Sequence, residues 1–235
     1  MNQFNKKSGF TMVELMLAMS FVAVLMVTIA MIVIQIGSTY ERGLTLKEVN
    51  QSGRAISSEL QQNINSGLPF ELITCTGANT CNYMNNNTSG GRLCIGQYSY
   101  VWNYGNAINN NTTTNKYVGS NTVIRFVKVL DLNADYCATA SKDIIVADAV
   151  ELLDVSQHNL AIQGFSMSNS SSDPRTGQRL YSIGFLLGTN ELNTVVPYTA
   201  GVQARCKTPK ELNTADAAYC SINKFNVVIR AGSVK

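Results

Sequence analysis

From Leu15 to Ile34 the chain runs for 20 residues without a charge. A helix rises about 1.5 Å per residue, so this run would span ~30 Å, the hydrocarbon thickness of a bilayer. Lys6 and Lys7 precede it and no charge follows before Glu41. Positive flanks stay on the cytoplasmic side, which places the N-terminus inside and the remainder outside. A cleaved secretory signal would have an apolar core of about 7–15 residues ending at small residues. This run is too long for that, and Gly37-Ser38 is a poor cleavage match. A plain single-pass anchor explains everything except Glu14. A carboxylate there costs on the order of a few kcal/mol in lipid unless it snorkels to the interface.

Around that acid the residues read Gly9-Phe10-Thr11-Met12-Val13-Glu14-Leu15, after a short basic leader. This stretch resembles the N-terminal signal of type IV prepilins and type II secretion pseudopilins, and the resemblance covers about the first 35 residues. It implies a prepilin peptidase cut between Gly9 and Phe10, N-methylation of Phe10, and an apolar segment that first anchors the subunit and later packs in a filament core. It also implies other pilin or pseudopilin subunits and an inner-membrane assembly platform as partners. Localisation follows: single-pass in the inner membrane with the C-terminal domain outside the cytoplasm, then an extracellular or periplasmic filament. Cleavage would create an α-amine, whose ordinary pKa is about 8. In the family the acid at the position of Glu14 is thought to pair with that amine on a neighbouring subunit. A buried pair of this kind sets register, because a wrong stagger leaves a charge unpaired in an apolar medium.

Beyond Gly37 the chain turns polar but keeps a helical rhythm. Leu46, Val49, Gly53, Ile56, Leu60 and Ile64 form one apolar stripe with charges and amides opposite. Gly67 and Pro69 end it. One helix over residues 10–66 would be roughly 85 Å long, with Gly37 and Gly43 as places where it could bend. The chain thus divides into a leader (1–9), a membrane or filament-core half-helix (10–36), an amphipathic half-helix (37–66) and a β-rich domain (67–235). The expected fold class is α+β and pilin-like: a long N-terminal helix packed on a mostly antiparallel sheet.

In the domain, residues 93–104, 121–132, 160–167, 179–189 and 224–232 read as strands, and 143–155 as strand or helix. Residues 83–92, 106–115 and 168–178 are rich in Asn, Ser, Thr and Gly and read as loops. Six cysteines, Cys75, Cys81, Cys94, Cys137, Cys206 and Cys220, all follow the apolar run. An even number outside the cytoplasm favours disulfides over metal ligation, and six cysteines allow 15 pairings. Cys206 and Cys220 flank a short polar loop and are the favoured pair. The region they bound also resembles, more loosely, the disulfide-bounded C-terminal region of many pilins. Cleavage would leave 226 residues. With the long loops, that length resembles a minor pilin, PilW-like, or a larger minor pseudopilin, more than a major pilin.

The formal net charge is +3. Without Lys6 and Lys7 the body has 16 basic residues against 15 acidic, which gives no electrostatic case for nucleic acid. His158 is the only histidine and no catalytic or phosphate-binding motif occurs. No cofactor and no catalytic residue are expected, and a membrane-tethered enzyme has no motif behind it. Asp131, Asn133 and Asp135 have the spacing of a calcium loop, but the following Gly is missing and Lys142 stands where a Glu is needed. Tyr98, Tyr100, Trp102 and Tyr104 fall on one face at strand period. Such a row reads as core or, exposed, as the binding patch of a tip adhesin on a pilin scaffold.

Overall fold

The computed structural model describes every residue except 1–8, 76–80, 87, 114, 120–121, 139–142, 154–158, 199–201, 209, 213–219 and 233–235. The chain divides into two units, Met1–Gly43 and Leu44–Lys235. Helix α1 (Met12–Ser66) supplies the described secondary structure of the first unit and the opening element of the second. Gly37 and Gly43 both lie in helical residues.

In the first unit the apolar side chains of α1 are exposed throughout, and the helix is long and apolar enough to cross a membrane. Its hydroxyls are turned back onto the helix. Ser20 donates to the Leu17 carbonyl at 2.9 Å and Thr28 to that of Leu25 at 2.8 Å. Each hydroxyl is thereby satisfied within the helix, which lets a polar residue sit in an apolar run at small cost.

In the second unit α1 buries one stripe: Thr45, Val49, Gly53, Ile56, Leu60 and Ile64. Leu46, expected in that stripe, is 55% exposed. Thr45 takes the place because a spacing of 4, 4, 3, 4, 4 from residue 45 keeps to one face at 100° per residue, whereas residue 46 is rotated a full step away.

The expected sheet is in fact two larger antiparallel sheets and a two-stranded ribbon. The first has the order β1 (Tyr83–Asn86), β2 (Gly90–Ile95), β3 (Tyr98–Asn103), β4 (Phe126–Leu130), β5 (Ala149–Glu151). The second places β7 (Arg179–Thr189) between β6 (Leu160–Ser172) and β10 (Ile222–Ala231). The ribbon pairs β8 (Val195–Val196) with β9 (Arg205–Cys206). Short helices α2 (Gly105–Asn109) and α3 (Asp135–Ala138) and a 3-10 turn (Val146–Asp148) fill the connections.

The two sheets are built from different sequence patterns. β2 is buried at every residue, and β3 at all but the half-buried Tyr98. One face of this sheet meets α1 through Tyr100, Trp102 and Phe126. The other face packs Val101, Val127 and Val129 under Tyr117, Ile124, Tyr136 and Ile144. A sheet covered on both faces loses its alternation. In β7 and β10, by contrast, Tyr181, Ile183, Phe185, Leu187, Val227, Ile229 and Ala231 point into the core while their neighbours face out.

Stacked and tilted rings cross from one sheet to the other. Phe126 lies 6.1 Å from Trp102, Trp102 4.3 Å from Phe165, Phe165 6.3 Å from Phe185 and Phe185 5.1 Å from Phe225. The row ends against α1 at Gly53, where an added Cβ would overlap the Phe225 ring. Gly90 and Gly91, read from sequence as a turn, open β2 instead. Gly91 lies opposite Trp102, and a side chain there would strike the indole. Gly90 has φ of 151° and sits against the Trp102 carbonyl, a conformation and a closeness that suit glycine.

The sheets are also joined by side chains. Asn85 on β1 donates its amide to the Phe165 carbonyl on β6 at 2.7 Å. The Tyr104 hydroxyl donates to Asn85 Oδ1 at 2.6 Å and accepts the Phe165 N–H at 3.2 Å. Both main-chain groups of Phe165, on an edge strand, are thus satisfied by side chains from the other sheet.

Gly53→Val would place methyl groups where the Phe225 ring now rests. Overpacking of this kind costs about 1–3 kcal/mol. Urea unfolding of the full chain should show that loss for Gly53→Val and near-native stability for a substitution at exposed Leu46.

Candidate functional site

The residues singled out at the N-terminus lie at the start of α1. Gly9 and Phe10 are exposed and precede the helix. Thr11 and Glu14 then form a reciprocal cap. The Glu14 carboxylate accepts the Thr11 backbone N–H at 3.0 Å and the Thr11 hydroxyl at 2.9 Å. The Glu14 N–H donates to Thr11 Oγ1 at 3.3 Å. This is a capping box, in which a Thr at the cap and a Glu three residues on each satisfy an orphan donor of the first turn. Its signal, Thr-x-x-Glu before an apolar run, stands in the sequence, but the expectation above treated Glu14 only as a charge. The carboxylate therefore has a role within its own chain: it ends the helix cleanly and complements the positive end of the helix dipole.

The aromatic row of β3 is buried. Tyr100 and Trp102 are fully enclosed, Tyr104 nearly so, and Tyr98 packs against the same core. It offers no exposed patch. One of its polar ends, the Tyr100 hydroxyl, is used in docking α1. The Tyr100 hydroxyl meets Asn63 of the helix, Asn63 donates to Glu59 at 2.8 Å, and Glu59 accepts Lys128 Nζ from β4 at 2.6 Å. Lys128 also lies over the Tyr98 ring, 3.9 Å from its centroid. This half-buried cluster fixes the helix against the sheet where the apolar stripe alone would let it slide.

The calcium triplet also has a structural use. Asp131 is buried and accepts the Ser99 hydroxyl at 2.6 Å and the N–H groups of Asp135 and Tyr136 at 3.0 and 3.1 Å. It caps α3, and both of its oxygens are engaged. Asn133 lies in the turn that precedes α3, and Asp135 is that helix's first residue. Among the described residues no three His, Cys, Asp or Glu side chains gather as a metal site. Lys142 and His158 lie outside the described residues.

All six cysteines are in disulfides: Cys75–Cys81, Cys94–Cys137 and Cys206–Cys220. The second closes a sequence separation of 43 residues and ties β2 to α3. It borders the first, since Cys81 Sγ lies 3.2 Å from the Cys137 carbonyl. The third fastens β9 to the residue pair that leads into β10.

One electrostatic feature of the domain was not foreseen. Glu151 on β5 accepts the N–H of Phe126 at 2.7 Å and that of Arg125 at 3.3 Å. Burial pushes its carboxyl above the ordinary carboxylate range, against the opposing pull of those N–H groups and of the Arg125 charge. Arg125 in turn donates to the Leu160 carbonyl at 2.5 Å. The pair joins β4 and β5 to the start of β6. Arg92 is enclosed too, held by Asn115 at 2.8 Å and the Tyr136 carbonyl at 2.9 Å, and burial lowers its pKa. Arg92 is a buried charge and Glu151 and Arg125 are half-buried ones, each with built partners inside the fold.

Compared with known proteins, the chain matches no family model, no curated protein and no solved structure.

Because the folded-state pKa of Glu151 is raised, the native state holds that proton more tightly than the unfolded chain does. The resulting stability is complete below the ordinary value near 4.5 and is lost as pH rises through the folded pKa. Denaturant unfolding at pH 4 and pH 8 should therefore show Glu151→Gln gaining on wild type at the higher pH. A difference between the two proteins that does not change with pH would contradict this.

Proposed function

We propose that the chain is a structural subunit of a type IV pilus or type II secretion-like filament, a minor pilin or minor pseudopilin. The observation that carries this reading is a single helix, Met12–Ser66, whose exposed apolar first part begins at the Gly9-Phe10…Glu14 motif and whose later residues form the spine of an α+β domain. In this reading prepilin peptidase cuts between Gly9 and Phe10, and the subunit waits in the inner membrane. An assembly platform then moves it into a filament beside other pilin subunits. The chain catalyses nothing. The adhesin alternative loses the exposed aromatic row that motivated it, since that row is buried.

Glu14 carries two roles that substitution can separate. A Gln at the third helical position still serves a capping box, so Glu14→Gln keeps the cap and removes the charge. Thr11→Val keeps the charge and removes the cap. If the carboxylate meets the new amine of a neighbouring subunit, Glu14→Gln should insert and be processed but fail to enter filaments, while Thr11→Val should enter them. Filament incorporation of Glu14→Gln at the wild-type level would remove the pairing role.

Mass spectrometry of the protein purified from its own cells tests the reading as a whole. The mature chain should begin at N-methylated Phe10, with all six cysteines oxidised. A mature chain beginning at Met1 would overturn it.

A further inference from the structure

The outward face of the β6–β7–β10 sheet carries a cavity of about 270 Å3. Its floor is Gly164, Ser166 and Gly184, the outward neighbours of the core residues Phe165 and Phe185. Two glycines and a serine keep the floor low, with the Leu186 side chain lying beside Gly164. Its main chain is committed, since Ser166 pairs with Gly184 in register and the Ser166 hydroxyl donates to the Gly184 carbonyl at 3.1 Å. A ligand here must therefore be held by the walls.

The walls are unusual in what they leave available. Asn85 and Tyr104 are engaged with each other and with Phe165. The Tyr198 phenol, the Gln203 amide and the Lys224 ammonium also line the cavity, and none of the three makes a side-chain hydrogen bond or ion pair among the described residues. Lys224 is the only charged side chain in the described lining. One cation, one amide and one phenol thus line the same cavity, with the half-buried Tyr198 ring among them.

We propose that this cavity binds a single acidic sugar ring, a hexuronate. The carboxylate goes to Lys224, the hydroxyls to Gln203 and the Tyr198 phenol, and the apolar C–H face of the sugar against the Tyr198 ring. The volume lies just under the roughly 300–1,000 Å3 of drug-sized sites, which suits one ring and not a chain of them. A simple aliphatic acid would satisfy Lys224 but leave the amide and phenol without partners. Sites built to bond hydroxyls discriminate strongly against ligands that lack them. A neutral sugar would forgo the charge-assisted contact, the stronger kind of hydrogen bond. This inference is independent of filament assembly.

The test is a calorimetric titration of the full chain in detergent with glucuronate, glucose and cyclohexanecarboxylate, which has the ring and the carboxylate but no hydroxyl. Glucuronate should bind, and glucose and cyclohexanecarboxylate should each bind at least tenfold more weakly. Lys224→Gln, at an exposed position, should weaken glucuronate at least tenfold. Gly184→Val, which puts methyl groups on the floor, should abolish binding. A hexuronate tetramer that binds more tightly than the monomer identifies the end of an acidic polysaccharide as the source; equal binding identifies the free sugar. Absence of glucuronate binding, cyclohexanecarboxylate binding as tightly as glucuronate, or undiminished glucuronate binding by Lys224→Gln overturns the proposal.

Discussion

The second unit rests on a close approach of helix and ring. Gly53 has no side chain, so the Phe225 ring can lie against the backbone of α1. Through Phe225 the helix reaches Phe185, Phe165, Trp102 and Phe126 in succession. Buried aromatics are large contributors to core energetics, and adjacent rings add about 0.5–1.5 kcal/mol per pair beyond their area. Ile56, Leu60 and Ile64 enlarge the same contact, but they could pack on many surfaces. The missing side chain at residue 53 is what selects this one. Glu59 and Lys128 then fix the helix along its axis by a short ion pair at the margin of the apolar contact.

Around that contact the polar groups are distributed with economy. Buried and half-buried polar groups serve as joints between elements: Asn85 and Tyr104 between the two larger sheets, Glu151 and Arg125 between β4, β5 and β6, and Arg92 between β2 and α3. A cluster of amides does the same for α2. Asn109 and Asn190 exchange hydrogen bonds at 3.0 and 3.1 Å, and Gln163 adds its own to the Thr189 carbonyl at 3.1 Å. The abundance of Asn in this sequence thus has a partly internal use. Amides both donate and accept, so a few of them can close a gap between elements without the desolvation cost of an ion.

Much of the fold was legible in the sequence where one period dominates. The helical stripe showed from Val49 onward, and β7 and β10 showed because their core residues alternate with outward ones. The reading failed where composition and pairing disagree. Asn85 and Asn86 look like loop but lie opposite Gly91 and Gly90 in a hairpin. Ser171 and Ser172 look like loop but extend β6 because β7 offers Leu180 and Arg179 opposite them. Both are local hairpin pairings, and they left no trace because Asn, Ser and Gly there carry no apolar alternation to mark a strand. The acids taught a related lesson. Asp131 and Glu14 each stand in a spacing that fits two uses, and a turn cap and a metal ligand draw on the same oxygens. Thr-x-x-Glu could have been read at once as a cap. The Asp131 cap is local too, but the Ser99 hydroxyl that also bonds Asp131 is brought near only by the β3–β4 pairing.

The placement of Phe225 also has a consequence in time. Gly53 and its ring partner are separated by 172 positions, nearly the whole length of the second unit. The helix is made early and the strand that receives it is made last. Until β10 arrives the stripe has no seat at Gly53, and the central strand β7 lacks its neighbour on one side. Contacts of such long reach slow folding and leave apolar surface waiting. A nascent chain of this kind stays unfinished until its final segment is delivered, so a truncation near the C-terminus would undo the docking of a helix that begins at residue 12.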